Sequence, residues 1–375
     1  MAEILLTEMA SIPRVRMSQG CFKLGYVPEL DGLRGAAILG VMIFHTGAPF
    51  MKGGFIGVDI FFVLSGFLIT SLLIQEFDGS GSISLKNFYM RRALRLGPAL
   101  AALLIVYCLA SFAVLSEEEA NRNYVDALIS LAYLSNWARA FSIHAPDVLG
   151  HTWSLSIEEQ FYMLWPIVLL VLLRISKKRH HIAVITTCIA LLSWLFRIHL
   201  ALNAASLERL YNGLDTRADT LMVGCTIGAV VHSGLVSENA KSSLQKGLVI
   251  LAPLSMAGLF AFSIFGDSRD PRMYYFGFFI IEVLAAVLIL DIVVNSRSII
   301  RKLLVMKWVV WVGSISYGLY LWHYPIFRTI RALGFNGLTV NTVGLPVSFF
   351  VAALSYHALE RPALKLKKRL VGDVP

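Results

Sequence analysis

Ten apolar runs, each near the 20 or so residues that a bilayer requires, alternate with polar connections along the chain. They fall near 33–49, 55–77, 96–115, 152–173, 181–201, 216–234, 247–265, 273–295, 308–330 and 338–360. Each predicts a membrane-spanning helix, so the expected fold is all-α, a polytopic membrane protein of about ten transmembrane helices. An even number returns both termini to one side. Residues 84–95 predict a separate short helix lying on one membrane face, with Ser84 as its N-cap. The longest connection, 116–151, is rich in Asn, Tyr and Trp and predicts a loop covering the opposite mouth. Pro325 is expected to kink the ninth span just after His323.

Composition agrees. Of 375 residues, 57% are hydrophobic and only 15% charged, well under the roughly 25% charge of a soluble domain. Charge then orients the spans. One set of connections and both tails carry 22 Lys and Arg, the other set 7. The positive-inside rule places the rich set, and both termini, in the cytoplasm. Residues 1–25 read as a cytoplasmic tail without a secretory signal, 26–362 as the membrane domain and 363–375 as a basic tail. This topology accounts for the net charge of +9, and no nucleic-acid partner is expected. The four cysteines are scattered and show neither a metal nor a disulfide pattern.

Ionisable groups inside membrane spans are functional candidates by default. Arg34 and His45 lie eleven residues apart, about three helical turns, so they share a face with roughly 16 Å between them. A hairpin of the first two spans brings Asp59 to the His45 end, where a carboxylate can orient an imidazole for general-base work. Glu158 and Glu159 enter the fourth span together. Tyr162 shares the face of Glu158, while Glu159 suits an arginine partner. Arg91, Arg92 and Arg95 precede the third span; they read either as a topological anchor or as an anion clamp. Asp215, Arg217 and Asp219, with Arg197 and His199 and with Glu282 within reach, read as a structural ion-pair cluster.

These polar spans fit a membrane enzyme or, alternatively, a proton-coupled membrane transporter; no internal repeat of the kind many carriers show is visible. The ordered motifs favour the enzyme. Leu30-Asp31-Gly32-Leu33-Arg34-Gly35 with His45, Gly57-Val58-Asp59 through Ile69, and Arg91-Arg92-Ala93-Leu94-Arg95 with Pro98 come first. Trp153-Ser154-Leu155 through Tyr162, Ser316 through His323, and Glu360-Arg361-Pro362 follow. In this order the chain resembles the acyltransferase-3 family of integral membrane acyltransferases, which includes O-antigen and exopolysaccharide O-acetylases, and it is similar to the members without an appended hydrolase-like domain.

The resemblance implies transfer of an acyl group, usually acetyl, to a hydroxyl of a cell-surface or secreted glycan or lipid-linked saccharide. It implies acetyl-CoA as a donor substrate, no permanently bound cofactor, no metal, and a place among the lipids of the bacterial inner membrane. The family's arginine-to-histidine motif falls on Arg34 and His45 and its arginine pair on Arg92 and Arg95; placement then adds Arg91 to the arginines at the coenzyme A, and Asp59 or Glu158 to orient His45 at the chemistry. Trp153, Tyr162 and His323 are then expected to contact substrate. Direct transfer and a transient acyl-histidine both remain compatible with these residues, and so does either side of the membrane for the acceptor.

Overall fold

The computed structural model describes residues 16–18, 21–176, 178–234, 238–295 and 298–371. Lys177 and Arg297 of the basic connections, and both chain ends, lie outside the described residues. Arg16–Ser18 (β1) and Cys21–Lys23 (β2) pair as an antiparallel hairpin with Met17 opposite Phe22. The rest is helical. The helices that build the interior are α1 (Pro28–His45), α2 (Gly57–Ser80), α3 (Leu85–Val114), α4 (Glu117–Leu131), α5 (Ser135–Ala140), α6 (Thr152–Ile175) and α7 (Arg179–Leu202). They continue with α8 (Leu207–Asn212), α9 (Leu214–Val231), α10 (Glu238–Phe265), α11 (Phe278–Val294), α12 (Ile299–Leu304), α13 (Lys307–Ser314), α14 (Ser316–Ala332), α15 (Leu345–Ser355) and α16 (Arg361–Val371).

Seven helical stretches among the described residues are long and apolar enough to cross a membrane: Gly54–Ser80, Leu85–Val114, Thr152–Ile175, Arg179–Leu202, Ser242–Phe265, Met273–Val294 and Gly337–Leu366. They match seven of the ten expected spans. The other three are helical but compromised. α1 carries Glu29, Asp31 and Arg34, and α9 carries Asp215, Arg217 and Asp219. The ninth run is broken at Ile315, between α13 and α14.

Several local expectations change. The short helix at 84–95 is not separate: α3 runs unbroken from Leu85 through Pro98 to Val114. Ser84 makes no side-chain cap; its backbone N–H donates to Glu76 Oε1 at 2.7 Å. The connection 116–151 contains α4, which opens with a capping box of Ser116 and Glu119, and then α5. Glu360-Arg361-Pro362 does not end the last helix. A π-helical turn, Tyr356–Glu360, passes directly into α16, and Pro362 lies within the continuing helix.

Pro325 does not break α14 either, and the reason is visible. Proline lacks the N–H that would bond the carbonyl four residues back, Leu321. That carbonyl accepts instead from His151 Nε2 at 3.1 Å. An imidazole from α6 thus replaces the lost backbone donor.

α2 is the centre of the molecule. Its most apolar window is 83% buried, against 22% for Ser242–Phe265. It crosses α9 through reciprocal glycines: a Cβ on Gly66 would sit 2.0 Å from Leu221 O, and one on Gly224 would sit 2.1 Å from Val63 O. Only glycine lets the two backbones approach this closely, as at helix contacts inside membranes. α1 packs beside α2 in the opposite direction. Arg34 and Ser65 therefore lie toward one end of the bundle, and His45 and Val58 toward the other.

Candidate active site

Two cavities open into the bundle from its two ends. The first, at the arginine end, has a mouth of about 370 Å³ that includes Tyr26, Arg34, Arg92, Arg95, Tyr356 and Glu360. It narrows to a neck of about 80 Å³ between Ser65, Glu158 and Tyr162 on one side and Ser316 and Tyr317 on the other. The second cavity, at the histidine end, has about 320 Å³ and is bounded by His45, His151, Trp153, Tyr211, Tyr274 and Tyr324.

The expected arginines separate in the first cavity. Arg34 pairs loosely with Asp31 at 3.4 Å. Arg92 lies flat on the Tyr162 ring, 3.4 Å from its centroid, with Glu159 Oε1 3.9 Å from Nε. Arg95 faces the cavity with neither a carboxylate nor a hydrogen-bond partner among the described residues. A guanidinium on a cavity wall with no carboxylate in contact suits an anionic ligand. Arg91 departs from expectation: it turns to Glu76 at 3.4 Å and borders neither cavity.

Glu158 belongs to this end as well. Its Oε1 accepts from Ser65 Oγ at 2.6 Å, and Ser65 Oγ accepts from the Tyr162 hydroxyl at 2.8 Å. The expected contact with His45 is not made. Asp59 does not reach His45 either. It is completely buried and pairs with Arg217 across the α2–α9 contact. The charge on Arg217 draws it, since a guanidinium with no exposure needs an anionic neighbour. The remaining cluster is as expected: Arg197 meets Asp219 at 2.6 Å and Glu282 at 3.9 Å, and Thr220 donates to Glu282 at 2.8 Å. Asp215 leaves it for Arg209, and His199 is exposed beside Asn203 instead.

His45 finds a histidine where a carboxylate was expected. Its Nδ1 lies 2.9 Å from His323 Nε2, and His323 Nδ1 lies 2.8 Å from the Leu319 carbonyl. The protons follow from valence. A carbonyl only accepts, so His323 carries its proton on Nδ1 and offers a lone pair at Nε2. His45 must then donate through Nδ1, which leaves its own Nε2 unprotonated. Among the described residues that nitrogen has no hydrogen-bond partner, and His45 borders the second cavity. His323 itself is fully buried beside His45 and borders neither cavity, so it stands away from the position expected of a substrate contact. Arg331 holds the end of α1 by donating to the His45 carbonyl at 2.7 Å.

Trp153 borders the second cavity as expected, its ring 4.8 Å from that of Tyr211. Tyr162 borders the first. Three residues went unnoticed in the sequence: Ser65, His151 and Tyr320. Only His151 had a legible signal, because Pro325 demands a replacement donor one turn back.

No solved structure matches the chain. YrhL of Bacillus subtilis is 36% identical over 349 residues, covering 90% of this chain and 55% of that protein. The peptidoglycan O-acetyltransferase OatA of Listeria monocytogenes is 35% identical over 351 residues, 91% of this chain and 56% of that protein. The O-acetyltransferase OatA of Staphylococcus aureus is 36% identical over 350 residues, with 91% and 57% covered. The chain spans about half the length of these curated relatives. A family profile described as an acyltransferase domain matches residues 27–357. With its ordered motifs seated around two opposed cavities, the chain belongs to the acyltransferase-3 family.

Proposed function

We propose that this membrane protein is an O-acyltransferase that moves an acetyl group from acetyl-CoA to a hydroxyl of a glycan. The unpaired Arg95 beside Arg34 and Arg92, at the foot of a neck that leads toward His45, carries this reading. Coenzyme A brings several phosphates, and guanidinium groups in a fixed fork suit them. Its slender arm suits the neck. The arginine end then faces the cytoplasm, where the donor is made. The glycan enters from the opposite end, where aromatic rings such as Trp153 and Tyr211 offer flat faces to a sugar. Names of the relatives mention peptidoglycan, and a peptidoglycan strand is accordingly the first acceptor to try.

In the transfer, His45 Nε2 takes the proton of the acceptor hydroxyl. The hydroxyl oxygen attacks the thioester carbonyl, the carbon–oxygen bond forms and the carbon–sulfur bond breaks. The departing thiolate then receives the proton from His45, so no other reagent is consumed. Enclosure of the neck keeps water from the thioester. General-base steps of this kind are worth about 10²- to 10⁴-fold. His45→Ala should therefore lose about that much transfer of labelled acetyl from acetyl-CoA to soluble peptidoglycan fragments, with unchanged folding by circular dichroism. A variant as active as the wild type would remove His45 from the mechanism.

A further inference from the structure

The two cavities are separated by a thin wall, and two side chains belong to both. Val58, the second residue of α2, and Tyr320, one turn into α14, each border the neck of the first cavity and the floor of the second. Both are buried, at 6% and 7% exposure. Tyr320 is held in place at its far end: its hydroxyl lies 2.5 Å from Ser154 Oγ and donates to the His151 carbonyl at 2.9 Å. Since His151 Nε2 in turn bonds the Leu321 carbonyl at 3.1 Å, α6 and α14 are tied together at the wall. Val58 has no polar group and is set by packing alone, beside Val41 of α1 across the Gly57 crossing. On the arginine side of the wall, Phe61, Phe62 and Leu155 add apolar surface to a neck that also carries Ser65, Ser154 and Glu158.

We propose that Val58 and Tyr320 form a size filter for the acyl group of the donor. This rests on the acyl-transfer reading. For a thioester carbonyl at the arginine end to meet a hydroxyl at His45, the acyl group must pass between these two side chains. The glycan and the nucleotide need not. A pinned tyrosine gives the aperture one fixed edge, and Val58 gives it a second edge whose size is set by one residue. Short acyl groups pass and longer ones meet the valine methyls. Shape selection against one methylene in an apolar site amounts to about 10- to 200-fold.

The test is a competition among thioesters. Purified protein in detergent receives acetyl-, propionyl- or butyryl-CoA with soluble peptidoglycan fragments, and kcat/KM is read from free thiol release. Wild type should fall about tenfold or more per added methylene. Val58→Ala should raise the butyryl-to-acetyl ratio by about tenfold or more, and Val58→Leu should lower the propionyl-to-acetyl ratio. Tyr320→Phe, which removes the pin and keeps the ring, should relax selection less than Val58→Ala. Ratios that stay at the wild-type value in both Val58 variants would overturn the filter while leaving acyl transfer standing. Wild-type protein that releases no thiol from any of the three thioesters would overturn the acyl-transfer reading, and the filter with it.

Discussion

At the residue scale, the account turns on which nitrogen of His45 is free. The Leu319 carbonyl fixes the proton of His323, and His323 fixes that of His45. His323 is thus a positioning residue. Replacing it with Phe removes the acceptor and lets His45 turn or change tautomer; a misplaced base of this sort loses about 10²-fold. Gln offers an amide oxygen near the Nε2 position, so His323→Gln should recover a substantial part of kcat while His323→Phe should not. Equal loss in both variants would reduce His323 to packing. The arginines separate in the same way. Arg95→Ala should raise the donor KM by about tenfold or more, since a charge-assisted contact is worth about 1.5–3 kcal/mol. Arg91→Ala should leave it unchanged, because Arg91 is engaged by Glu76. Steady-state titration of acetyl-CoA with each variant distinguishes them. The chain announced these residues as expensive and clustered. It did not announce their partners, because partners come from helices distant in sequence: His45 and His323 are 278 positions apart.

At the scale of elements, α2 and α9 are held by two different devices. Gly66 and Gly224 bring the backbones together, and Asp59 with Arg217 locks them by charge. The motif around Asp59 suggested catalysis, and the hairpin geometry placed it at the correct end of the bundle. What the sequence concealed was Arg217, 158 positions away and equally buried. Removing one member of such a pair leaves a buried charge uncompensated and costs about 3–5 kcal/mol. Asp59→Asn should therefore lower thermal stability in detergent strongly. A double replacement with apolar residues, Asp59→Leu with Arg217→Met, should restore much of it. An Asp59→Asn protein with wild-type stability and no turnover would return Asp59 to the chemistry. The helices themselves were legible because bilayer-length apolar runs leave little choice. Pro98, Pro325 and Pro362 all lie inside continuing helix, and at Pro325 the His151 imidazole supplies the donor that proline lacks.

At the scale of the whole molecule, the cavities oppose one another and their polar inventories differ. One holds Arg34, Arg92 and Arg95 with a carboxylate–serine–tyrosine chain; the other holds His45 and His151 with aromatic rings, and Arg139, Glu208 and Arg269 at its border. Val58 and Tyr320 each border both. A protein that joined both substrates on one side would have no need of this arrangement. In the proposed reaction, donor and acceptor approach from opposite ends and meet at His45. The direct measurement uses sealed vesicles containing the reconstituted protein, with soluble peptidoglycan fragments trapped inside and labelled acetyl-CoA supplied only outside. Neither solute crosses a bilayer unaided. The account predicts label on the trapped glycan with the wild-type protein and none with His45→Ala. Label found only on glycan placed on the same side as the donor would contradict it.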